Sequence, residues 1–581
     1  MPPRDPLFFQ RLLVKPPTPS RFSRHLLVLS ALGCGALILV IRALWLQVLD
    51  RDFLQDQGDA RALRVISIPA HRGIITDRFG EPLAVSAPVD SIWADPRELA
   101  KVPEQFPALA RLLGSPLQDL QHLVEGRKDK GFIYLARRVH PDLAKAVMNL
   151  GLKSVSLQRE YRRFYPSGEV TSHILGFTDI DDVGREGLER GFDKTLRGTP
   201  GARRVLMDRP RHIIDTVEIV SQPRPGTGIR LSIDRRIQYL AYRALQEQVE
   251  KFRAKGGTAV VLDTRSGEVL ALVSQPSFNP NASARDPKRY RNRAVVDVFE
   301  PGSTMKVFTV AAALESGKYK PETPVDTRPG SYTLGTKTIK DVHPCGLIDV
   351  ARVIQKSSNV GATKIALSLS AERLWSVFSR VGFGHLTGSG FPGEVGGFMS
   401  NYKQWKEIEQ ATMSYGYGIS VTTLQLARAY SVFAEGVVHP VTFLAQDTPP
   451  PGERVLDPKI ASQMRSIMEL VVGPGGTATK ARIPGYRVGG KTGTAIKAGA
   501  GGYQEKRYLS LFAALVPVTN PRLAMAIVID EAQGAYYGGE VAAPVFSTVM
   551  GGALRLLDVA PDDLPSLGKQ VMALNDERED P

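Results

Sequence analysis

The sequence predicts an α+β multidomain protein behind a single apolar N-terminal segment. Three observations carry this reading. One uninterrupted apolar run lies near the N-terminus of 581 residues, five strand-like segments fall two early and three late around a long helical stretch, and the composition is that of a folded globular chain. Hydrophobic residues make up 43% and charged residues 23%, which excludes a wholly disordered chain and a polytopic membrane protein. Two cysteines exclude a disulfide framework and a four-cysteine zinc site. A net charge of +15 leaves nucleic acid, an anionic membrane surface or an acidic polymer as partner classes.

The apolar run comes first. Leu26 to Ile41 carries no charge, and past Arg42 the apolar character resumes to Leu49, so residues 26–49 are long enough to cross a bilayer as a helix. Five basic residues and only Asp5 precede it within 1–25, whereas Asp50, Arg51, Asp52 and Asp56 follow it. The positive-inside rule makes 1–25 a cytoplasmic tail and exports the rest. Arg42 can snorkel and Trp45 suits the interfacial belt. A cleaved signal peptide needs a shorter core and a small-x-small site beyond it, and Ala31-Leu32-Gly33-Cys34 lies inside the run. Cys34 is then in lipid and Cys345 outside, so the two do not pair.

Residues 50–225 read as one block, with a β-prone start at 65–68, helical stretches near 96–150 and Gly-rich turns at 167–201. Pro223, Pro225, Gly226 and Gly228 mark a break, and 226–557 form a second block. There, 233–249 has helical periodicity, and 258–263 and 268–274 are strands of a hairpin closed by Thr264-Arg265-Ser266-Gly267. A mainly helical section from 303 to 470 follows, then strands around 487–496, 509–516 and 523–530. Both hairpins have short connections and are antiparallel, so the sheet needs helices to cover it. The tail 558–581, with two basic and seven acidic residues, reads as disordered.

Three short motifs in the second block carry chemistry. In Glu300-Pro301-Gly302-Ser303-Thr304-Met305-Lys306, a turn opens an Ala-rich helix, with Ser303 at its start and Lys306 about one turn on, sharing its face. A serine hydroxyl becomes a nucleophile when a base takes its proton, and a desolvated, neutral lysine is such a base. Ser357-Ser358-Asn359 sits in a polar break, where Ser357 can relay a proton and Asn359 can hold an amide. Its bland alternative is a helix cap. Gly489-Gly490-Lys491-Thr492-Gly493-Thr494-Ala495 closes the set. Gly485 with Gly490-Lys491-Thr492 matches a P-loop literally, but no buried strand precedes it and Gly493 with the Gly-rich stretch 499–502 stops any helix. On an edge strand, Lys491 instead offers a cation to a carboxylate, and Thr492 and Thr494 add hydrogen bonds.

The ordered set S-x-x-K, S-x-N, K-T-G is similar to that of penicillin-binding proteins and class A β-lactamases. The chain resembles a class B penicillin-binding protein of the division-specific type over roughly 20–550. In the first block, Arg72-Gly73, Asp77-Arg78 and Gly80 resemble the family's R-G-x-x-x-D-R-x-G motif, Arg162 to Pro166 with His173 its second motif, and Gly187-Leu188-Glu189 its third. The resemblance implies an elongated α/β pedestal domain at 50–225, where these residues serve fold and interface. It implies a β-lactamase-like transpeptidase domain at 226–557 whose five-stranded antiparallel sheet is flanked by helices.

It further implies that Ser303 attacks the penultimate D-Ala carbonyl of a pentapeptide stem with Lys306 as base. Ser357 passes the proton on, Asn359 binds the amide, and Lys491, Thr492 and Thr494 with Gly493 form the carboxylate site. No cofactor or metal is implied. The implied partners are lipid-linked peptidoglycan stems, β-lactams, the membrane, a polytopic FtsW-like glycosyltransferase and other divisome proteins. The implied place is the inner membrane at the septum, with the catalytic domain in the periplasm. Nucleic acid drops out, because nearly all of the remaining positive charge lies outside the membrane. Two readings stand beside this one: an elongation-specific class B enzyme, which a Tyr536-Tyr537-Gly538-Gly539 ending of division type disfavours, and a β-lactam sensor or divisome scaffold. A soluble β-lactamase would be a domain of about half this length.

Overall fold

The computed structural model describes residues 21–54, 63–207, 213–282, 286–499 and 502–564. The first twenty residues of the expected cytoplasmic tail, and 565–581 of the expected disordered tail, lie outside the described residues. Helix α1, Arg21–Leu44, runs on through a wider turn at Trp45–Leu49. Together they give a span at His25–Leu49 of mean hydropathy 2.3, long and apolar enough to cross a membrane. Trp45 donates from its indole nitrogen to Asp50 at 3.1 Å, closing the C-terminal end of the span.

The pedestal is built on two sheets. Leu63–Ile68, Gly201–Met207 and Ile213–Ser221 form an antiparallel three-stranded ribbon with Gly201–Met207 central. The second sheet is organised by the long strand Pro82–Ala94, which pairs with Val155–Phe164 and with Ile133–Val139. Its small core joins Ile92, Leu99, Phe106, Leu109, Val124, Ile133 and Val147. The helical stretches expected near 96–150 are present at Pro96–Leu99, Phe106–Leu113, Leu117–Glu125 and Pro141–Met148, and a strand lies among them. Ile133–Val139 is a strand because its β-branched and aromatic side chains pack against Pro82–Ala94, a tertiary partner that local periodicity does not reveal.

The first-block motifs converge on the joint between the two domains. Arg72 is fully buried and donates to Glu189 at 2.7 Å, to Asp193 at 2.7 Å and to the Asp182 and Glu189 carbonyls at 3.0 Å. Arg163 donates to the other oxygen of Glu189 at 2.7 Å. Here the structure amends the sequence reading. The buried arginine of the second motif is Arg163, while Arg162 lies on the opposite, exposed face of its strand and, among the described residues, donates to the Asn281 carbonyl at 3.5 Å. Side chains alternate along a strand, so one residue's shift changes faces. Asp77 accepts from the Phe79, Glu81 and Arg235 amides, while Arg78 pairs with Glu268 at 3.4 Å. Gly80 turns this loop, and a Cβ on Gly73 would stand 2.3 Å from the Thr227 carbonyl. His173 is buried, and burial pushes its pKa down to about 4. The neutral ring donates from Nε2 to the Arg289 carbonyl at 2.8 Å.

The second domain is centred on a five-stranded antiparallel sheet of β1 (Gly256–Asp263), β2 (Val269–Gln275), β3 (Gly489–Gly499), β4 (Gly502–Val516) and β5 (Leu523–Asp530). Its order is β2-β1-β5-β4-β3, leaving β3 at one edge. Every residue of β1, β2 and β5 is buried, so both faces are covered. Gly257 faces Leu245 and Val249 of α2 (Arg235–Lys251), while the Thr258 hydroxyl meets that of Thr423 at 2.7 Å. Adjacent residues of a strand point to opposite faces. Helix α2 therefore covers one face and Thr423–Ser431 the other.

Between the strand pairs lie α3 (Lys306–Glu315) and α4 (Asn359–Leu367). The expected helical section 303–470 also contains two-stranded ribbons, among them Ser331–Leu334 with Lys337–Lys340. Such strands of four residues are too short to show a period in sequence. The tail's first residues are docked rather than free, because Asp562 accepts from the Arg487 amide at 2.7 Å and from Thr519.

Candidate active site

Three segments distant in sequence meet at the exposed edge of β3. The first is a tight turn, Gly302–Met305, leading into α3, which presents the half-buried Ser303 and the fully buried Lys306. The turn is held from below by Tyr430, whose hydroxyl donates to the Thr304 carbonyl at 2.9 Å. From the side, Gly302 N–H donates to the Gly416 carbonyl at 3.1 Å. Gly416 has φ +88°, and a Cβ there would lie 2.2 Å from the Gly302 carbonyl oxygen, so only glycine lets the two backbones meet.

The second segment is the turn before α4. Ser358 is the N-cap of that helix and accepts from the Gly361 amide at 2.8 Å. The cap reading of this motif thus holds for Ser358, while Ser357 and Asn359 face the cleft. Lys306 Nζ donates to the Ser357 carbonyl at 2.6 Å, to Asn359 Oδ1 at 2.7 Å and lies 3.2 Å from Ser357 Oγ. Ser357 has φ +60°, a costly conformation for a residue with a Cβ.

The third segment is β3. Lys491 Nζ lies 3.0 Å from Ser357 Oγ and 3.1 Å from the Thr492 carbonyl. The Ser357 hydroxyl is therefore suspended between two lysines. Thr492 shares a 2.7 Å hydrogen bond with Thr477, and Thr494 accepts from the Gly538 amide at 3.4 Å. Gly493 abuts Thr304 and Leu511, which lets the strand run close against the serine turn.

The electrostatics follow from burial. Among the described residues neither lysine has a carboxylate in contact; their partners are hydroxyls, carbonyls and one amide. Desolvation, reinforced by the nearby charge of Lys491, pushes the Lys306 pKa well below its ordinary value. Desolvation alone brings Lys491 down to about 7. A neutral lysine keeps a lone pair, so Lys306 is equipped to accept a proton. Lys491 is poised to gain its charge when a ligand carboxylate arrives.

The structure thus brings Ser303, Lys306, Ser357, Asn359, Lys491, Thr492, Gly493 and Thr494 into one cleft and leaves the first-block motif residues outside it. Sequence reasoning missed Tyr430, Gly416, Thr477 and Asp341, which support the cleft from other elements, Asp341 by accepting from the Ser358 hydroxyl at 2.7 Å and the Val360 amide at 2.9 Å. Each lies in a segment whose local pattern points only to a helix, a turn or a ribbon end. No signal short of the tertiary contact identifies them.

Comparison with known proteins agrees with this arrangement. The family model described as penicillin binding protein transpeptidase domain matches residues 257–551, and the penicillin-binding protein dimerisation domain matches 67–231. The chain is 42% identical over 573 residues to the peptidoglycan D,D-transpeptidase FtsI of Escherichia coli strain K12, covering 96% of this chain and 97% of that protein. It is 42% identical over 558 residues to the probable peptidoglycan D,D-transpeptidase PenA of Neisseria meningitidis serogroup A, covering 94% and 95%. Among solved structures, the transpeptidase domain of Burkholderia pseudomallei penicillin-binding protein 3 aligns with a TM-score of 0.53 at 46% identity. It covers 58% of this chain and 98% of that one. A peptidoglycan synthetase from Bifidobacterium adolescentis aligns at a TM-score of 0.69 and 26% identity, covering 87% and 98%. With its pedestal, sheet and three-motif cleft accounted for together, the chain belongs to the class B penicillin-binding proteins.

Proposed function

We propose that this chain is a serine D,D-transpeptidase that cross-links peptidoglycan stems during septum formation and is a target of β-lactams. The single observation that carries the mechanism is the pair of buried lysines sharing the Ser357 hydroxyl, with Lys306 opening the helix that the Ser303 turn leads into.

Neutral Lys306 takes the proton of Ser303 Oγ, which attacks the penultimate D-Ala carbonyl. The backbone N–H groups of Ser303 and Thr494 receive the oxyanion that forms. Lys491, Thr492 and Thr494 hold the terminal carboxylate, whose charge draws Lys491 toward its protonated form, and Asn359 holds the stem's amide. As the C–N bond breaks, the proton on Lys306 passes through Ser357 Oγ to the leaving amine. D-Ala departs and an ester to Ser303 remains. An amino group of a second stem then attacks that ester, the cross-link forms and Ser303 recovers its proton.

The N-terminal apolar helix supports a single-pass inner-membrane protein whose basic N-terminus is cytoplasmic and whose catalytic domain is periplasmic. The pedestal supports docking to an FtsW-like glycosyltransferase and other divisome proteins. Domain limits of 50–225 and 226–557 fit this organisation.

Labelling with a fluorescent penicillin tests the chemistry. Wild type is expected to be labelled and Ser303→Ala to be blank; equal labelling of both overturns the assignment. Depletion tests the place of action, with filaments expected and round cells pointing to elongation instead.

A further inference from the structure

A cavity next to the catalytic turn is left unused by the mechanism. It has a volume of about 710 Å³, within the range of about 300–1,000 Å³ that holds small-molecule ligands. Leu509 and Val528 line it from the sheet, Lys497 from β3 and Phe299 from the segment that leads into Ser303. Gly493, Leu511, Val528 and Thr258 oppose one another across β3, β4, β5 and β1 and so share one face. A Cβ on Gly493 would stand 3.0 Å from Thr304, so this is the face against which the Ser303 turn packs. The cavity and the nucleophile therefore lie on the same side of the sheet.

Its walls are basic. Six basic side chains and two carboxylates line it, and both carboxylates are engaged within the wall. Asp297 accepts from Arg291 and, at 2.9 Å, from Arg293, and Asp530 accepts from Lys497 at 2.7 Å and from Arg293 at 3.1 Å. Lys288 has no carboxylate partner among the described residues, and Arg289 pairs only loosely with Asp286, at 3.7 Å. The segment that carries these two cations is fixed from the pedestal. His173 donates to the Arg289 carbonyl at 2.8 Å, and the Tyr290 ring packs on Phe177 and Phe278. A fixed pocket with this excess of positive charge selects an anion.

The place of the cavity along β3 narrows the choice of anion. The strand has a free edge, to which an extended peptide can add. In the reaction above, the scissile carbonyl sits at the Thr494 amide. A stem running antiparallel to β3 then carries its preceding residues past Ala495 and Ile496 toward Lys497, about 10 Å on at about 3.3 Å per residue. Two stem residues and a side chain cover that distance. Resting on the transpeptidase reading, we propose that the cavity is a subsite for the carboxylate on the second residue of the donor stem, with Lys288 and Arg289 as the cations that receive it.

The test is protection of Ser303 from a fluorescent penicillin by synthetic stem pentapeptides, in the full-length protein in detergent. One peptide carries a free carboxylate on its second residue and the other is amidated there. Wild type is expected to be half-protected by the carboxylate form at a concentration about tenfold lower, the worth of one hydrogen bond to a charged group. Raising the salt is expected to narrow that gap, because Lys288 and Arg289 stand in solvent. In the double variant Lys288→Ala with Arg289→Ala the gap is expected to close. Labelling without peptide is expected to run as in wild type, since penicillin has no counterpart to that part of the stem. Lys288→Glu alone is expected to shrink the gap and serves if the double variant misfolds. Equal protection of wild type by the two peptides, or none by either, overturns the subsite, as does a gap that persists in the variants. A double variant that labels slowly without peptide would assign the two residues to the catalytic turn and overturns it as well. If wild type itself is not labelled at Ser303, the transpeptidase reading fails first and this inference falls with it.

Discussion

The catalytic cleft and the pedestal joint both bury cations, and they treat them in opposite ways. At the joint, Arg72 and Arg163 are 0% and 1% exposed, and each is met by Glu189, itself 0% exposed. Arg72 has a further carboxylate in Asp193. In the cleft, Lys306 and Lys491 are equally buried, yet their partners are neutral oxygens. A buried charge that is paired stays a charge and becomes architecture. A buried amine without a counter-ion loses its proton and becomes a base. Arginine suits the first role because it does not deprotonate, and lysine suits the second because it does.

Exchanging the two behaviours gives the largest expected effects. Lys306→Met keeps the stem and removes the amine. Acylation by penicillin is expected to fall by about 10³-fold or more, while the loss of the hydrogen bonds to the Ser357 carbonyl and Asn359 is expected to cost only about 1–3 kcal/mol of stability. A variant that stays folded and reacts normally would break the comparison on the cleft side. Glu189→Ala acts on the other side. It strands two buried guanidiniums and is expected to cost about 3–5 kcal/mol in chemical denaturation. The molecules that remain folded are expected to label at the wild-type rate.

Lys491 sharpens the contrast through pH. Its pKa is about 7 in the fold against an ordinary value of 10.5, so between these limits the unfolded chain binds more protons than the folded one. Stability contributed by this site therefore rises with pH across that window, and is lost as pH falls toward about 7. Denaturation of wild type and Lys491→Met at several pH values is expected to show their difference changing across this window and flat below it. A difference independent of pH would mean that the lysine is charged throughout.

Smaller effects test the supports. Gly416→Ala forces a Cβ against the Gly302 backbone and is expected to cost about 1–3 kcal/mol while slowing acylation, since the displaced turn carries Ser303. The smallest effect separates neighbours. Arg162→Ala is expected to change stability by less than about 0.5 kcal/mol, as an exposed residue does, whereas Arg163→Ala is expected to be clearly destabilising. Equal effects would dissolve the distinction between the two faces of that strand.

Much of this molecule was legible in its sequence. The apolar run marked a helix long and apolar enough to cross a membrane, because hydropathy and length are local properties. Four of the five strands were visible as apolar stretches bounded by turns, the short connections of the two hairpins imposed antiparallel pairing there, and the fifth strand was marked by its Gly-Lys-Thr motif rather than by hydropathy. Ser303, Lys306, Ser357, Asn359 and Lys491 were legible as motifs, since each cluster is compact in sequence. What escaped were features made by side-chain direction and by partners far along the chain. Arg162 and Arg163 differ only in which face of one strand they occupy, and the ribbon that carries Asp341 is too short to show a period.

The sequence alone determined the apolar N-terminal helix, the succession of strands along the chain and the chemical groups available for catalysis, because spacing and hydropathy act locally. Tertiary structure decided which charges are paired, and through that which are reactive. Lys306 and Arg72 are each a basic residue beside a glycine-containing turn in the sequence. Only burial beside Lys491 in one case, and against Glu189 in the other, makes one a base and the other a strut.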